Sequence, residues 1–385
     1  MSNGRNLVLF LDGTWNTLGD NTNVWRMKSL CRNGGDQFVY YNAGVGTDYG
    51  SRLLGGMFGY GLDGEVLEAY QWLVENYLEG DRVFVFGFSR GAFTARSLSG
   101  FISKCGLLKP GSPLSLKQLF ARYRLGATPH TIRGLAHVAS SDLTLEDRWL
   151  KTYSMPIAIW FQGVFDTVGA LGVPFGNFPR ISRSKYSFLE TDLRINYSRA
   201  YHALAIDEHR IAFAPTLWTK ITTEGVNSYP PRSISDVEQR WFVGAHADVG
   251  GGYANGLLAQ RPLQWLMSKG AEHGLSVKSN IDLDGEFKVG AIHDSFAEMG
   301  GGLYRAVKFN QRFFRGIGAD SVVLGKQTTS VINETIDSTV FDRWRDDLSY
   351  RPRNLFEWAR RRNVRVASLN GSLCADDPNV SVIEK

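Results

Sequence analysis

Residues 82–96, RVFVFGFSRGAFTAR, limit what this chain can fold into more than any other stretch. Val83 to Phe86 read as a buried strand, which runs through Gly87-Phe88-Ser89-Arg90-Gly91 directly into a helical pattern with small residues at its start. The two glycines have a mechanical reason. Side chains at 87 and 91 would collide with neighbouring elements in so sharp a turn, and the turn leaves Ser89 strained with its Oγ projecting above the sheet. That hydroxyl would sit at the positive end of the following helix. G-x-S-x-G between strand and helix is the nucleophile elbow; the bland alternative is a structural turn serine.

A strand that feeds a helix in this way implies an α/β architecture, and the rest of the chain agrees. Short apolar runs, Gly-rich turns and helical patterns alternate, as in a mostly parallel sheet flanked by helices. The pattern predicts strands at about 5–11, 37–41, 82–87, 157–164 and 240–245. Residues 65–80 carry apolar side chains at 66, 67, 70, 73, 74 and 77, the spacing of an amphipathic helix closed by Gly80, and a second helix is expected over 91–106. Residues 107–155 and 172–235 are less regular and read as insertions over the sheet edge, segments of the kind that form lids. The reading is therefore a catalytic domain over 1–300 and a small basic extension over 301–385.

A nucleophilic serine needs a base, and the base needs an orienting acid. Of the seven histidines, His246 lies just past an apolar strand in the Gly-rich loop of RWFVGAHADVGGGY, at the sheet edge where α/β sites form. Asp166, in IAIWFQGVFDTVGALG, follows the preceding strand. The order Ser89, Asp166, His246 matches the order Ser, acid, His of such sites. Asp248 with His293 is the main competing pair, because Asp248 also follows a strand and His293 lies in a later polar loop. Each acid has a structural alternative as well: Asp166 capping a helix, Asp248 binding the amides of Gly250 to Gly252.

Five motifs taken together, LFLDGTWN, GFSRGAFTAR, GVFDTVG, HALAIDEHR and WFVGAHADVGGGY, resemble in their order the α/β-hydrolase family that supplies the catalytic domain of type VI secretion phospholipase effectors. The likeness covers roughly residues 5–300. It implies an α/β-hydrolase-like fold, a triad of Ser89, Asp166 and His246, and an esterase acting on phospholipid acyl chains. With it come delivery to a target cell by type VI secretion and an immunity protein as partner. Mechanism then asks for an oxyanion hole, with one donor expected from the backbone of Arg90 and another from Gly13 or Thr14 in the DGT turn. Other readings of the same fold are an esterase or thioesterase on soluble substrates, and a binding protein without catalysis.

Weaker signals carry blander readings. GYGLDG at 59–64 matches G-x-G-x-x-G, but no convincing strand precedes it, so nucleotide binding is not expected. His246-x-Asp248 lacks a third metal ligand at useful spacing, and Cys31, Cys105 and Cys374 are too widely spaced for a zinc site or a disulfide framework. No metal and no cofactor are expected. HALAIDEHR reads as packing and salt bridges. The apolar run Leu7 to Leu11 is too short for a leader, and no run reaches the length of a bilayer span, which suggests a cytoplasmic location in the producing cell. Net charge is +5. Arg343 to Arg365 holds eight arginines against three acidic residues, an excess equal to that of the whole chain. Interleaved with Trp344, Tyr350, Leu355, Phe356 and Trp358, these arginines read first as a solvated helix packing its aromatics on the core, and second as a contact for an anionic membrane surface. No nucleic-acid motif accompanies them.

Overall fold

The computed structural model describes residues 4–13, 21–44, 58–125, 130–168, 197–221, 232–281, 283, 285–318, 322–324, 327–376 and 382–384. Among these, nine strands form one sheet: β1 (Asn6–Leu11), β2 (Gln37–Asn42), β3 (Arg82–Phe88), β4 (Ile159–Phe165), β5 (Tyr197–Ala205), β6 (Val237–Phe242), β7 (Glu334–Ile336), β8 (Ser372–Cys374) and β9 (Val382–Glu384). Their order is β9-β8-β7-β6-β5-β4-β3-β1-β2. Every neighbouring pair from β2 to β7 is parallel, and β8 and β9 finish that edge antiparallel. The protein is α/β, with the mostly parallel, helix-flanked sheet of the α/β-hydrolase class.

The five strands read from the sequence all form, within three residues of their expected ends. Their continuous apolar runs are what a strand covered on both faces requires. Helices α2 (Phe58–Asn76) and α3 (Arg90–Cys105) supply one layer, where Tyr70, Leu73, Leu98 and Phe101 pack on Leu7, Leu9, Val83 and Val85. Helices α1 (Asn23–Leu30) and α5 (Gln260–Glu272) cover the other face, where Val24, Met27 and Leu266 meet Phe10, Phe86 and Phe161. Phe86 is central there, its ring 5.1 Å from Phe10 and 5.3 Å from Phe161. Truncating such a buried ring removes about 3–5 kcal/mol.

Three expectations change. The stretch 172–235, read as an insertion, contains β5, which lies between β4 and β6 in the middle of the sheet. It was hidden because it reads YSRAYHALA, with polar residues where a central strand is usually apolar. The fold accepts two of them by pairing: His202 accepts from the Thr167 backbone amide at 3.0 Å, and Arg199 pairs with Asp236. Next, 107–155 leaves from the C-terminal end of α3 and re-enters at the start of β4, so its described residues gather at the opposite end of the sheet from Ser89 and form no lid over it. Its short strands 107–108 and 154–155 pair with each other, and a buried Arg122–Asp147 ion pair at 2.6 Å ties its two helices.

Finally, 301–385 is not an appendage among the described residues. It contributes β7 to β9 to the sheet and packs Tyr350, Leu355 and Trp358 against Leu204, Ile206 and Trp241. Several of its arginines bond the chain itself: Arg343 to Gly290 O, Arg345 to Leu369 O, Arg351 to Trp344 O, Arg361 to Ile317 O, and Arg353 to Glu357. Tyr350 and Trp358 are buried and Trp344 packs against the same cluster, whereas Phe356 is 58% exposed, so the first of the two sequence readings holds for three of the four rings.

Candidate active site

The three strand ends that matter lie at one level. Phe88 is in register with Phe165, Phe165 with Ala203, and Ala205 with Phe242, so the residues leaving β3, β4 and β6 converge over the C-terminal edge of the sheet. Ser89 sits between β3 and α3 with φ 58° and ψ −119°, a conformation that L residues rarely hold and that the close packing around it imposes. A Cβ on Gly91 would lie 2.1 Å from Leu11 O, and one on Gly87 would lie 2.5 Å from Gly91 O. Both positions therefore exclude a side chain, and α3 can start directly against β1.

His246 begins the short helix α4 (His246–Gly250) just past β6. Its Nε2 lies 2.8 Å from Ser89 Oγ, and its Nδ1 lies 2.5 Å from Asp166 Oδ2. Asp166 leaves β4 with φ 37° and is fully buried. The ring of His246 is walled by Phe88, 4.7 Å away, and by the edge of Phe213 at 4.9 Å. The glycine run after it has a purpose here, since a Cβ on Gly250 would meet the Phe88 ring at 1.9 Å. The His246 amide donates to Glu208 Oε2, and Glu208 is gripped by Arg210 and by Ser295 Oγ.

Four hydrogen bonds converge on Asp166: from the Ala205 amide, from His246 Nδ1, and from both Nη atoms of Arg315. Burial by itself would raise this carboxyl; the Arg315 charge and the bonds from His246 and Arg315 outweigh it and hold the group well below the usual carboxylate range. Burial likewise works against Glu208, yet Arg210 brings it down to about 2. His202, buried beside Thr167, is driven down to about 3 by burial and by Arg96, so it accepts the Thr167 amide as a neutral ring.

The competing pair is also real, and it is separate. His293 Nδ1 lies 2.6 Å from Asp248 Oδ1, and Asp248 Oδ2 accepts from the amides of Ala245 and His293. His293 stacks on Tyr253 at 3.7 Å. Asp248 thus holds the start of α4 and the His293 loop; among the described residues no hydrogen bond joins this pair to Ser89. Asp248 does not take the Gly250 to Gly252 amides suggested by its local sequence.

Of the oxyanion candidates, Arg90 opens α3, where helix amides face outward. The Gly13 amide donates to Asp12 Oδ1 at 2.7 Å, and Asp12 is tied to Thr22 and Tyr41. Thr14 lies outside the described residues. HALAIDEHR turns out to hold the site from below: Glu208 anchors His246, while Asp207 accepts from the Gly244 amide and the Tyr350 hydroxyl. Arg315, Phe213 and Glu208 escaped the sequence reading as parts of the site. Only Glu208 lay in a noted motif, and Arg315 is 149 residues from Asp166 along the chain.

Among the described residues there is no cluster of three or more His, Cys, Asp or Glu suited to a metal ion, and no helix long and apolar enough to cross a membrane. The fold and the Ser–His–Asp line define an α/β-hydrolase-like protein. The family model described as "T6SS, Phospholipase effector Tle1-like, catalytic domain" matches residues 5–269, and the chain belongs to that family. A curated relative, Uncharacterized protein YEL023C of Saccharomyces cerevisiae, is 30% identical over 243 residues, which are 57% of this chain and 33% of the relative. The chain thus spans a third of that relative's length. Two solved structures are similar. An uncharacterized protein from Pseudomonas aeruginosa has 18% identity and TM-score 0.47, covering 79% of this chain and 51% of its own. The Tle1 effector bound to the VgrG spike of the type 6 secretion system has 19% identity and TM-score 0.35, covering 69% and 54%.

Proposed function

We propose that this protein is a serine ester hydrolase of the phospholipase A type, with Ser89 as nucleophile, His246 as general base and acid, and Asp166 as the orienting acid. What supports the reading most is the unbroken hydrogen-bond line from Ser89 Oγ through His246 to Asp166, lying inside the family-matched residues. As Ser89 Oγ attacks an acyl carbonyl carbon, His246 Nε2 takes its proton and Asp166 stabilises the imidazolium. Collapse of the tetrahedral intermediate returns that proton to the departing alcohol and leaves an acyl-enzyme. Water, deprotonated by the same imidazole, then releases the fatty acid and restores Ser89.

The Arg90 amide is one proposed donor to the oxyanion. Because Asp12 engages the Gly13 amide, Thr14 is the stronger choice for the second. Phospholipid as substrate and delivery by type VI secretion are supported by the family match; a cognate immunity protein belongs to the same proposal. Exposed arginines of the C-terminal segment, Arg353, Arg360 and Arg365, are the proposed contacts with an anionic membrane surface. A second reading is an esterase or thioesterase on soluble acyl substrates, since the relative in yeast lies outside a bacterial secretion setting and so loosens the tie to a secreted effector's substrate.

Incubation with phosphatidylethanolamine and phosphatidylglycerol vesicles, with the released products identified, tests both. Fatty acid and lysophospholipid released by the wild-type protein and not by Ser89→Ala are expected. Hydrolysis of p-nitrophenyl esters or acyl thioesters with vesicles left intact would favour the soluble-substrate reading, and undiminished activity in Ser89→Ala would end the serine mechanism.

A further inference from the structure

Asp166 has no contact with solvent. An ionised carboxylate in such a place is stable only when opposite charge and hydrogen bonds surround it. Arg315 supplies a full opposite charge and two of the four hydrogen bonds, through Nη1 to Oδ1 at 2.6 Å and Nη2 to Oδ2 at 2.9 Å. Arg315 is itself buried, and its two Nη groups are fixed from behind by Ala205 O at 2.7 Å and Phe213 O at 2.6 Å. Those carbonyls belong to the end of β5 and to the turn that walls His246, so the orientation of the guanidinium is set by backbone. A planar fork held in this way dictates the plane of the carboxylate that it grips.

We propose that Arg315 is a positioning residue for this site. It turns the Asp166 carboxylate so that Oδ2 faces His246 Nδ1, which keeps the proton on Nδ1 and leaves Nε2 to accept from Ser89. Asp166 reaches the imidazole in the correct tautomer only as part of a guanidinium–carboxylate unit. The inference rests on the hydrolytic reading above and adds to it that the family-matched residues 5–269 do not hold every group the site needs. Residue 315 lies beyond them, in the region that also adds β7 to β9 to the sheet. A lysine at this position would keep the charge and lose the fork; alanine would lose both.

The test uses the full chain, a soluble p-nitrophenyl ester, and proton NMR of the His246 Nδ1–H, whose hydrogen bond to a carboxylate moves it far downfield. Arg315→Lys, compared at matched Tm, is expected to lower kcat about 100-fold with KM within about twofold, the scale of a small misplacement of a catalytic group. It should also shift or erase the downfield resonance. In Arg315→Ala, added methylguanidinium should recover part of kcat, and it should do nothing for Ser89→Ala. Either an unshifted resonance or a kcat within about threefold of wild type in Arg315→Lys overturns the proposal. The resonance can be read without turnover. A wild-type protein that hydrolyses no ester would therefore end the hydrolase reading while the clamp is still judged, upheld if the resonance changes in Arg315→Lys and overturned if it does not. If Arg315→Ala does not fold, the lysine variant alone carries the decision.

Discussion

Two aspartate–histidine pairs meet just past β6, where His246 of one and Asp248 of the other are two residues apart, with nearly equal distances, 2.5 Å for Asp166–His246 and 2.6 Å for Asp248–His293. Their surroundings differ. Asp166 is fully buried, gripped by a buried arginine and kept ionised, and its histidine points at Ser89. Burial pushes Asp248 up and the bonds around it only partly oppose that; its histidine is partly exposed and stacked on Tyr253. A carboxylate and an imidazole in contact do not make a catalytic pair. What separates the two is a charge partner on the acid and a serine hydroxyl at the far nitrogen of the imidazole.

The largest expected effect tests the first pair. Ser89→Ala, His246→Ala and Asp166→Asn should each lower kcat for ester hydrolysis by about 10³-fold or more, since the serine, the base and the tautomer act as one unit. Assays on purified, folded variants check this, and activity within about tenfold of wild type in any of them would break the comparison. Far less is expected of the second pair. His293→Ala should cost under about tenfold in kcat, through loosening of the loop that Asp248 holds. A loss as large as that of His246→Ala would mean that the roles had been assigned to the wrong pair.

A third buried carboxylate sharpens the lesson through stability. Glu334 accepts from Trp241 Nε1 and the Gly318 amide, and burial, with the charge of Asp376, pushes it up to about 7. Above the ordinary glutamate value of 4.5, the unfolded chain has released a proton that the native state still holds, so stability falls as pH rises from there through 7. Glu334→Gln cannot ionise and keeps an acceptor for both N–H groups. It should match the wild type near pH 4 and exceed it at pH 8 by about 3 kcal/mol at most. Denaturant titrations at the two pH values decide; an equal offset at both would show that ionisation is not the cause. For Asp166 the sign is reversed. Its lowered value gives stability that is present above the unfolded carboxyl range and is lost only as pH falls through the folded value.

The smallest effect concerns the surface. Each arginine that engages an anionic bilayer contributes about 1 kcal/mol. Arg353 already has Glu357 at 2.7 Å. With Arg353 engaged in this way, replacing Arg360 by glutamine should weaken sedimentation with phosphatidylglycerol vesicles at low salt by about fivefold. No change at all would remove this segment from membrane binding.

Much of the site could be read from the linear chain, because strand-end loops announce themselves. Ser89 is flagged by the glycines that its turn requires, while Asp166 and His246 follow recognisable apolar strands. Other parts had no such signal. β5 was masked by its polar residues, whose partners are remote in sequence. Gly13, a reasonable oxyanion donor by position, has its amide engaged by a side chain from the preceding residue.

The sequence by itself determined the α/β layering, the elbow and the strand-end positions of Ser89, Asp166 and His246, because periodicity and turn chemistry are local properties of the backbone. Only the tertiary structure decided which acid meets which histidine, and that Arg315 closes the site from beyond the family-matched region. Those outcomes depend on which strand ends the sheet order brings together and on where a buried charge finds its counter-charge, and neither is written in any local run of residues.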